Sequence, residues 1–178
     1  MEIITISRWF ALLRSAVFAF VFMGSVGVYL PVYLGLLRGQ TASGARLLGF
    51  APLLLGAGIA LHCTFSFAWR GRGTPAPFDA PIHLVVDGLY RYVRNPMYLG
   101  MALFLIGEWL IWGSNLRSAL IYLGVFAIAA FLFVIAHEEP TLAQKFGNEY
   151  LEYRRNVPRF VPRLTPWRPV QKSAAGSV

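Results

Sequence analysis

The sequence predicts an all-helical fold embedded in a membrane, and three observations carry that prediction. Of its 178 residues, 57% are hydrophobic and only 13% are charged, far more apolar than a soluble domain. The charges gather in clusters separated by uncharged stretches long enough to cross a bilayer. The basic residues are also distributed unevenly between the segments that join those stretches, as membrane topology requires.

The spans follow in order. Arg8 and Arg14 precede an uncharged run that ends at Arg38. It has the basic flank of a signal peptide, but it exceeds an h-region and lacks a small-residue cleavage site, so it reads as span one, over 15–37. The uncharged interval from Arg46 to Arg70 predicts span two, over 47–69. Between Arg94 and Arg117 the one ionisable residue is Glu108, and between Arg117 and Glu138 there is none, giving span three over 96–112 and span four over 118–137. The short turn Gly113-Ser114-Asn115 makes these two an antiparallel helical hairpin. Pro31, Pro52 and the pairs Gly24/Gly27 and Gly56/Gly58 lie within spans, where neighbouring helices tolerate them and small residues permit close packing.

Two further segments form a cap. The loop 71–93 opens on a Gly- and Pro-rich stretch, and its aromatic and β-branched residues around Asp87-Gly88 predict a short hairpin or extended clamp at the interface. Pro140 starts a C-terminal amphipathic helix over 140–155, with Leu142, Phe146, Tyr150 and Tyr153 on one face. Residues 1–166 thus read as one domain and 167–178 as a mobile tail. The expected architecture is an all-α integral membrane protein of four transmembrane helices with a cytoplasmic cap.

With four spans, both termini and the 71–93 loop share a side that holds every Lys and Arg except Arg38, Arg46 and Arg117. The positive-inside rule puts that side in the cytoplasm, and a bacterial-type inner membrane is the expected location. This placement accounts for the net charge of +8 and leaves no basic surface for nucleic acid. The lone Cys63 excludes a disulfide framework, and His137 lacks a second histidine at metal-ligand spacing, so no metal is expected. Gly56-Ala57-Gly58 lacks a third glycine and a βαβ context, so it is not a dinucleotide fingerprint. Glu108 beside Trp109 and Trp112 sits near the far interface, either functional or snorkelling, while His62 and Tyr92 suit helix bonding and an aromatic belt.

Chemistry concentrates at one mouth of the hairpin. Arg94-Asn95-Pro96-Met97-Tyr98 opens span three and Glu138-Glu139 closes span four, and antiparallel packing sets them at one depth. Arginine, carboxylates and tyrosine faces there suit a zwitterionic ligand.

These residues resemble the isoprenylcysteine carboxyl methyltransferase family, relatives of the phospholipid N-methyltransferases, over roughly residues 80–163. The family pattern Arg-His-Pro-x-Tyr, a hydrophobic stretch and Glu-Glu appears here as Arg94 to Tyr98, the hairpin and Glu138-Glu139. Leu84-Val85, Gly88 with Tyr90, Gly147 with Tyr150 and Tyr153, and Val157-Pro158 agree as well. The resemblance implies S-adenosylmethionine as methyl donor, held by Ile82, His83, Leu84, Val85, Tyr90, Asn95, Pro96, Met97, Tyr98 and Glu138. Arg94 and Glu139 are the candidate catalytic residues, Glu139 orienting Arg94 or the acceptor. The implied acceptor is a membrane lipid or another lipid-like or prenylated molecule.

Two positions depart from the family. Asn95 replaces a histidine and cannot act as an acid or base near neutral pH. The turn before the acidic pair reads Phe131-Leu132-Phe133-Val134, without the arginine that serves a prenylcysteine carboxylate in eukaryotic members. A phospholipid or a small thiol is therefore an alternative acceptor, and a non-catalytic multi-pass membrane protein is the alternative of another class.

Overall fold

The computed structural model describes residues 8–37, 43–71, 82–113 and 115–168. Most of the Gly- and Pro-rich opening of the 71–93 loop, Ser114 and residues 169–178 of the expected tail lie outside the described residues. The described residues contain helices and irregular segments and no strand.

Helix α1 (Arg8–Phe22) passes through a π-helical stretch, Met23–Tyr29, into α2 (Leu30–Tyr33). The widening has a local cause. The Leu30 N–H reaches back five residues to the Ser25 carbonyl, and Pro31, with no N–H, cannot serve Val26 in the same register. The Tyr122 hydroxyl donates to the Val26 carbonyl instead.

Helix α3 (Ser43–Ser66) contains Pro52 and ends in a second π stretch, Phe67–Gly71. Helix α4 (Pro96–Trp112) begins with proline at its first position, where the missing N–H costs nothing. These two helices touch backbone to backbone. A methyl group added at Gly56 would sit 2.4 Å from the Gly100 carbonyl oxygen, and one added at Gly107 would sit 2.4 Å from the Leu53 nitrogen. This is the close approach that small residues permit between apolar helices.

At the turn, the Trp109 indole donates to the Asn115 carbonyl at 3.0 Å, and the Asn115 side chain caps α5 by accepting from the Ser118 N–H at 2.8 Å. Helix α5 (Leu116–Phe133) continues through a third π stretch, Val134–Glu138, into α6 (Glu139–Phe146). The helix does not restart at Pro140 as the sequence suggested. Pro140 falls where the register has already widened, since the Glu139 N–H bonds to the Val134 carbonyl, and the chain runs on. The break comes at Gly147, whose φ of +52° ends the helix, and α7 (Asn148–Asn156) starts on a new axis. The expected helix over 140–155 is therefore two helices. Leu142, Phe146, Tyr150 and Tyr153 still meet in one apolar cluster with Val157, Leu84 and Trp167, because the break folds α7 back onto that face.

The expected hairpin around Asp87-Gly88 is absent among the described residues. Gly88, with φ of +58°, turns the chain into a 3₁₀ turn, Gly88–Arg91. Backbone partners come from the distant segment 158–167: Pro158 O accepts from Arg94 N–H at 2.9 Å, Arg163 N–H donates to Tyr92 O at 3.0 Å, and Trp167 N–H to Arg91 O at 2.9 Å. This strap does the work a neighbouring strand would have done. Trp167, which the sequence assigned to the tail, also packs its ring on Tyr153 at 5.6 Å.

Among the described residues, three helices are long and apolar enough to cross a membrane: Leu12–Tyr33, Arg46–Gly71 and Leu116–Phe146. Helix α4, on the expected third span, is a shorter apolar helix of 17 residues. The chain is a membrane protein.

Candidate active site

The mouth of the α4–α5 hairpin is organised around one carboxylate. Glu139, in the first turn of α6, is buried, with a side chain only 6% exposed. Its Oε1 accepts from Arg94 Nη1 at 2.9 Å and from Arg159 Nε at 2.6 Å, and its Oε2 accepts from Arg159 Nη2 at 3.0 Å. Arg154 stands 3.7 Å from Oε2 on the outer side. Arg159 thus grips Glu139 as a two-pronged fork, and Glu139 in turn fixes Arg94. Tyr150 contributes its hydroxyl oxygen to Arg94 Nη1 at 3.2 Å.

Arg94 is 9% exposed, and its buried Nε has no hydrogen-bond partner among the described residues. A buried donor of that kind costs free energy unless something accepts from it.

Glu138, one residue earlier, points another way. Its Oε1 accepts from the Tyr98 hydroxyl at 2.6 Å. Phe160 of the strap packs edge-on against Tyr98 and is itself backed by Phe131 of α5. Asn95 does not titrate; its amide donates to the Arg159 carbonyl at 3.1 Å, tying the start of α4 to the same strap.

The floor beneath the 3₁₀ turn is aromatic. Tyr90 is buried against Val85, Cys63 and Phe67, with the Phe67 ring edge-on at 5.6 Å. Burial, with the Cys63 thiol and Tyr153 beside it, holds the Tyr90 phenol well above its usual range and therefore neutral. The Tyr153 hydroxyl, also pushed up by burial, donates to the Tyr90 carbonyl at 2.7 Å. Gly88 is required here twice, by its positive φ and because a methyl group on it would lie 2.5 Å from His62 Nε2.

These groups line one end of a cavity of about 600 Å³. Leu84, Val85, Tyr90, Arg94, Asn95, Met97, Tyr98 and Glu138 all face it, and Leu142 and Tyr153 close its outer end. Ile82 and His83, expected beside them, are exposed and outside the lining, Pro96 is buried in the start of α4, and Glu139 stands behind Arg94. From the ionic end the cavity continues between α1 and α5 as an apolar slot past Phe133, Ala129, Phe126 and Phe22 to Leu30 and Tyr122. Val125 and Leu30 line it while remaining 61% and 39% exposed, so the slot opens sideways.

Sequence reasoning missed Arg159 and Tyr122. Arg159 directly follows the Val157-Pro158 pair already singled out, and that adjacency was the available signal. Tyr122 carried none, since a tyrosine inside an apolar run reads as ordinary packing.

One cavity thus joins an ionic mouth to an apolar slot. The chain belongs to the phospholipid methyltransferase family, whose profile matches residues 45–149. It is 35% identical over 81 residues to the Protein-S-isoprenylcysteine O-methyltransferase of Schizosaccharomyces pombe, covering 46% of this chain and 34% of that protein. It is 33% identical over 109 residues to Methanethiol S-methyltransferase 1 of Bradyrhizobium diazoefficiens, covering 61% of this chain and 33% of that protein. The Methanethiol S-methyltransferase of Mycobacterium tuberculosis is 34% identical over 96 residues, covering 53% and 35%. The matched segments span about a third of each of these relatives. No solved structure matches the chain.

Proposed function

We propose that this protein is an S-adenosylmethionine-dependent methyltransferase whose acceptor is a lipid-like molecule drawn from the bilayer. The observation that carries the reading is the continuity of the cavity: Arg94, Tyr98 and Glu138 at one end and an apolar slot open to the side at the other. A water-soluble acceptor would gain nothing from a sideways opening between helices. An acceptor as small as methanethiol would leave the apolar slot unfilled.

The residues present fit the donor. The orphaned Arg94 Nε offers a buried donor for a ligand carboxylate, and the Glu138 oxygen not engaged by Tyr98 offers an acceptor for an ammonium group. Leu84, Val85 and Met97 supply apolar surface, and neutral Tyr90 an aromatic face, for an adenine. When bound, this donor supplies a methyl group on a sulfonium for transfer to a nucleophile. The protein's own part is positioning. Glu139 and Arg159 fix Arg94, Phe160 fixes Tyr98, and the strap with α7 covers the mouth against water. Asn95 holds its neighbours in place and moves no proton.

In this reading α4 is a fourth crossing. At about 1.5 Å per residue its 17 residues reach about 25 Å, the short end of the range that spans hydrocarbon, and its packing on α3 lends the rest of the depth. Both termini and the cap then face the cytoplasm of a cell whose inner membrane holds the protein, with Arg91, Arg154, Arg155, Arg163 and Arg168 on that side.

Isothermal titration of the purified protein with S-adenosylhomocysteine tests the reading. Saturable binding at one site per chain is expected. No heat from a monodisperse sample would instead favour a non-catalytic membrane protein.

A further inference from the structure

Tyr122 is common to two cavities. Its ring ends the apolar slot between α1 and α5, and its other side borders a small separate cavity of about 20 Å³ lined by Pro31, Leu105, Trp109 and Glu108. We propose that Tyr122 is the floor of the acceptor slot and sets the length of the apolar tail an acceptor can carry. The proposal rests on the methyltransferase reading for the nature of the ligand's reactive end, and on geometry alone for the floor.

Three features make Tyr122 a floor. Its position is fixed: its hydroxyl donates to the Val26 carbonyl, the acceptor left over where Pro31 interrupts the π register. The slot above it, from Ala130 down to Tyr122, is walled by apolar residues over about 12 Å of α5 at about 1.5 Å per residue, room for one hydrocarbon chain lying along the helix. Beyond it lies a second cavity, small and lined by apolar residues with one carboxylate among them. Glu108, 4% exposed, borders the far cavity, so a tail passing Tyr122 would meet a carboxylate. Tyr122 therefore stands between the slot and a second, small cavity that holds one carboxylate.

A blocked end discriminates by length, because a methylene too many must turn out of the slot through its side opening; a factor of about 10 per methylene is the lower end of what hydrophobic pockets achieve. Removing the ring joins the two cavities and moves that limit outward.

The test uses n-alkylamines of graded length with a terminal photoreactive diazirine, offered to the protein in nanodiscs, with crosslinks mapped by mass spectrometry. In the unaltered protein, labelling should peak at one length, mark Tyr122, Val26 or Leu30, and fall about 10-fold just beyond that length. Tyr122→Ala should shift the peak to longer chains and carry the label to Leu105 or Glu108. Tyr122→Phe keeps the ring and loses the hydroxyl bond, so its peak should stay in place. An unmoved peak in Tyr122→Ala, or an equal shift in Tyr122→Phe, overturns the floor. Methyl transfer from labelled S-adenosylmethionine to the same amines, run in parallel, separates the two readings. Length-selective labelling without methylation in any variant removes the enzymatic reading and leaves the floor, whereas methylation that ignores length removes the floor alone.

Discussion

Glu139 gathers Arg94, Arg159 and Arg154 around one buried carboxylate, and its neighbour Glu138 accepts from the Tyr98 hydroxyl. Adjacent acids therefore have different work, and different variants separate it. Glu139→Ala leaves the Arg94 guanidinium buried without a counter-charge. The expected loss of stability is about 3–5 kcal/mol, the cost of breaking one side of a buried pair, read by equilibrium unfolding in mixed micelles. A loss below about 1 kcal/mol would mean that solvent reaches the cluster. Glu138→Gln keeps shape and removes charge. It should leave the melting temperature near that of the unaltered protein while weakening S-adenosylhomocysteine binding by about 1.5–3 kcal/mol, the range for hydrogen bonds to charged groups. Glu108→Gln, which borders the far cavity, is the matched control and should change that affinity by less than about 0.5 kcal/mol. Equal losses in the two variants would remove Glu138 from the donor site.

At the scale of helices, α3 and α4 act as one unit because Gly56, Gly100 and Gly107 let their backbones meet. Gly56→Ala drives a methyl group into the Gly100 carbonyl and should destabilise by about 1–3 kcal/mol, as overpacking does. Gly58→Ala, two residues on with open space around it, should be neutral or stabilise by up to about 1 kcal/mol through helix propensity. Thermal unfolding of the pair checks the interface, and similar losses in both would argue against it. Uncharged intervals bounded by arginines made these helices legible in the sequence, because burial in hydrocarbon is a property of composition. The pairing of Arg94 and Tyr98 with Glu139 and Glu138 followed from hairpin symmetry. The break at Gly147 was not legible, since the apolar period continues across it and a positive φ leaves no mark on periodicity. The strap was hidden for a related reason: its backbone partners lie some 70 residues away, and nothing local announces them.

At the scale of the whole molecule, the proposed orientation rests on charge and can be read directly. Arg117→Cys should react with a membrane-impermeant thiol reagent applied from outside intact cells, and Arg155→Cys should react only after the membrane is opened; Cys63 is fully buried and gives little background. The reverse pattern would invert the topology, and labelling of both from one side would require an even number of crossings between them. The cavity gives the most direct test of what the protein does. Membranes carrying the protein are incubated with methyl-labelled S-adenosylmethionine and extracted into organic solvent. Label is expected in a lipid-soluble product, with the yield falling about 10-fold or more in Glu138→Gln at limiting donor, in proportion to the lost binding. Label that never leaves the aqueous phase, in membranes whose protein binds S-adenosylhomocysteine normally, would contradict a lipid-like acceptor.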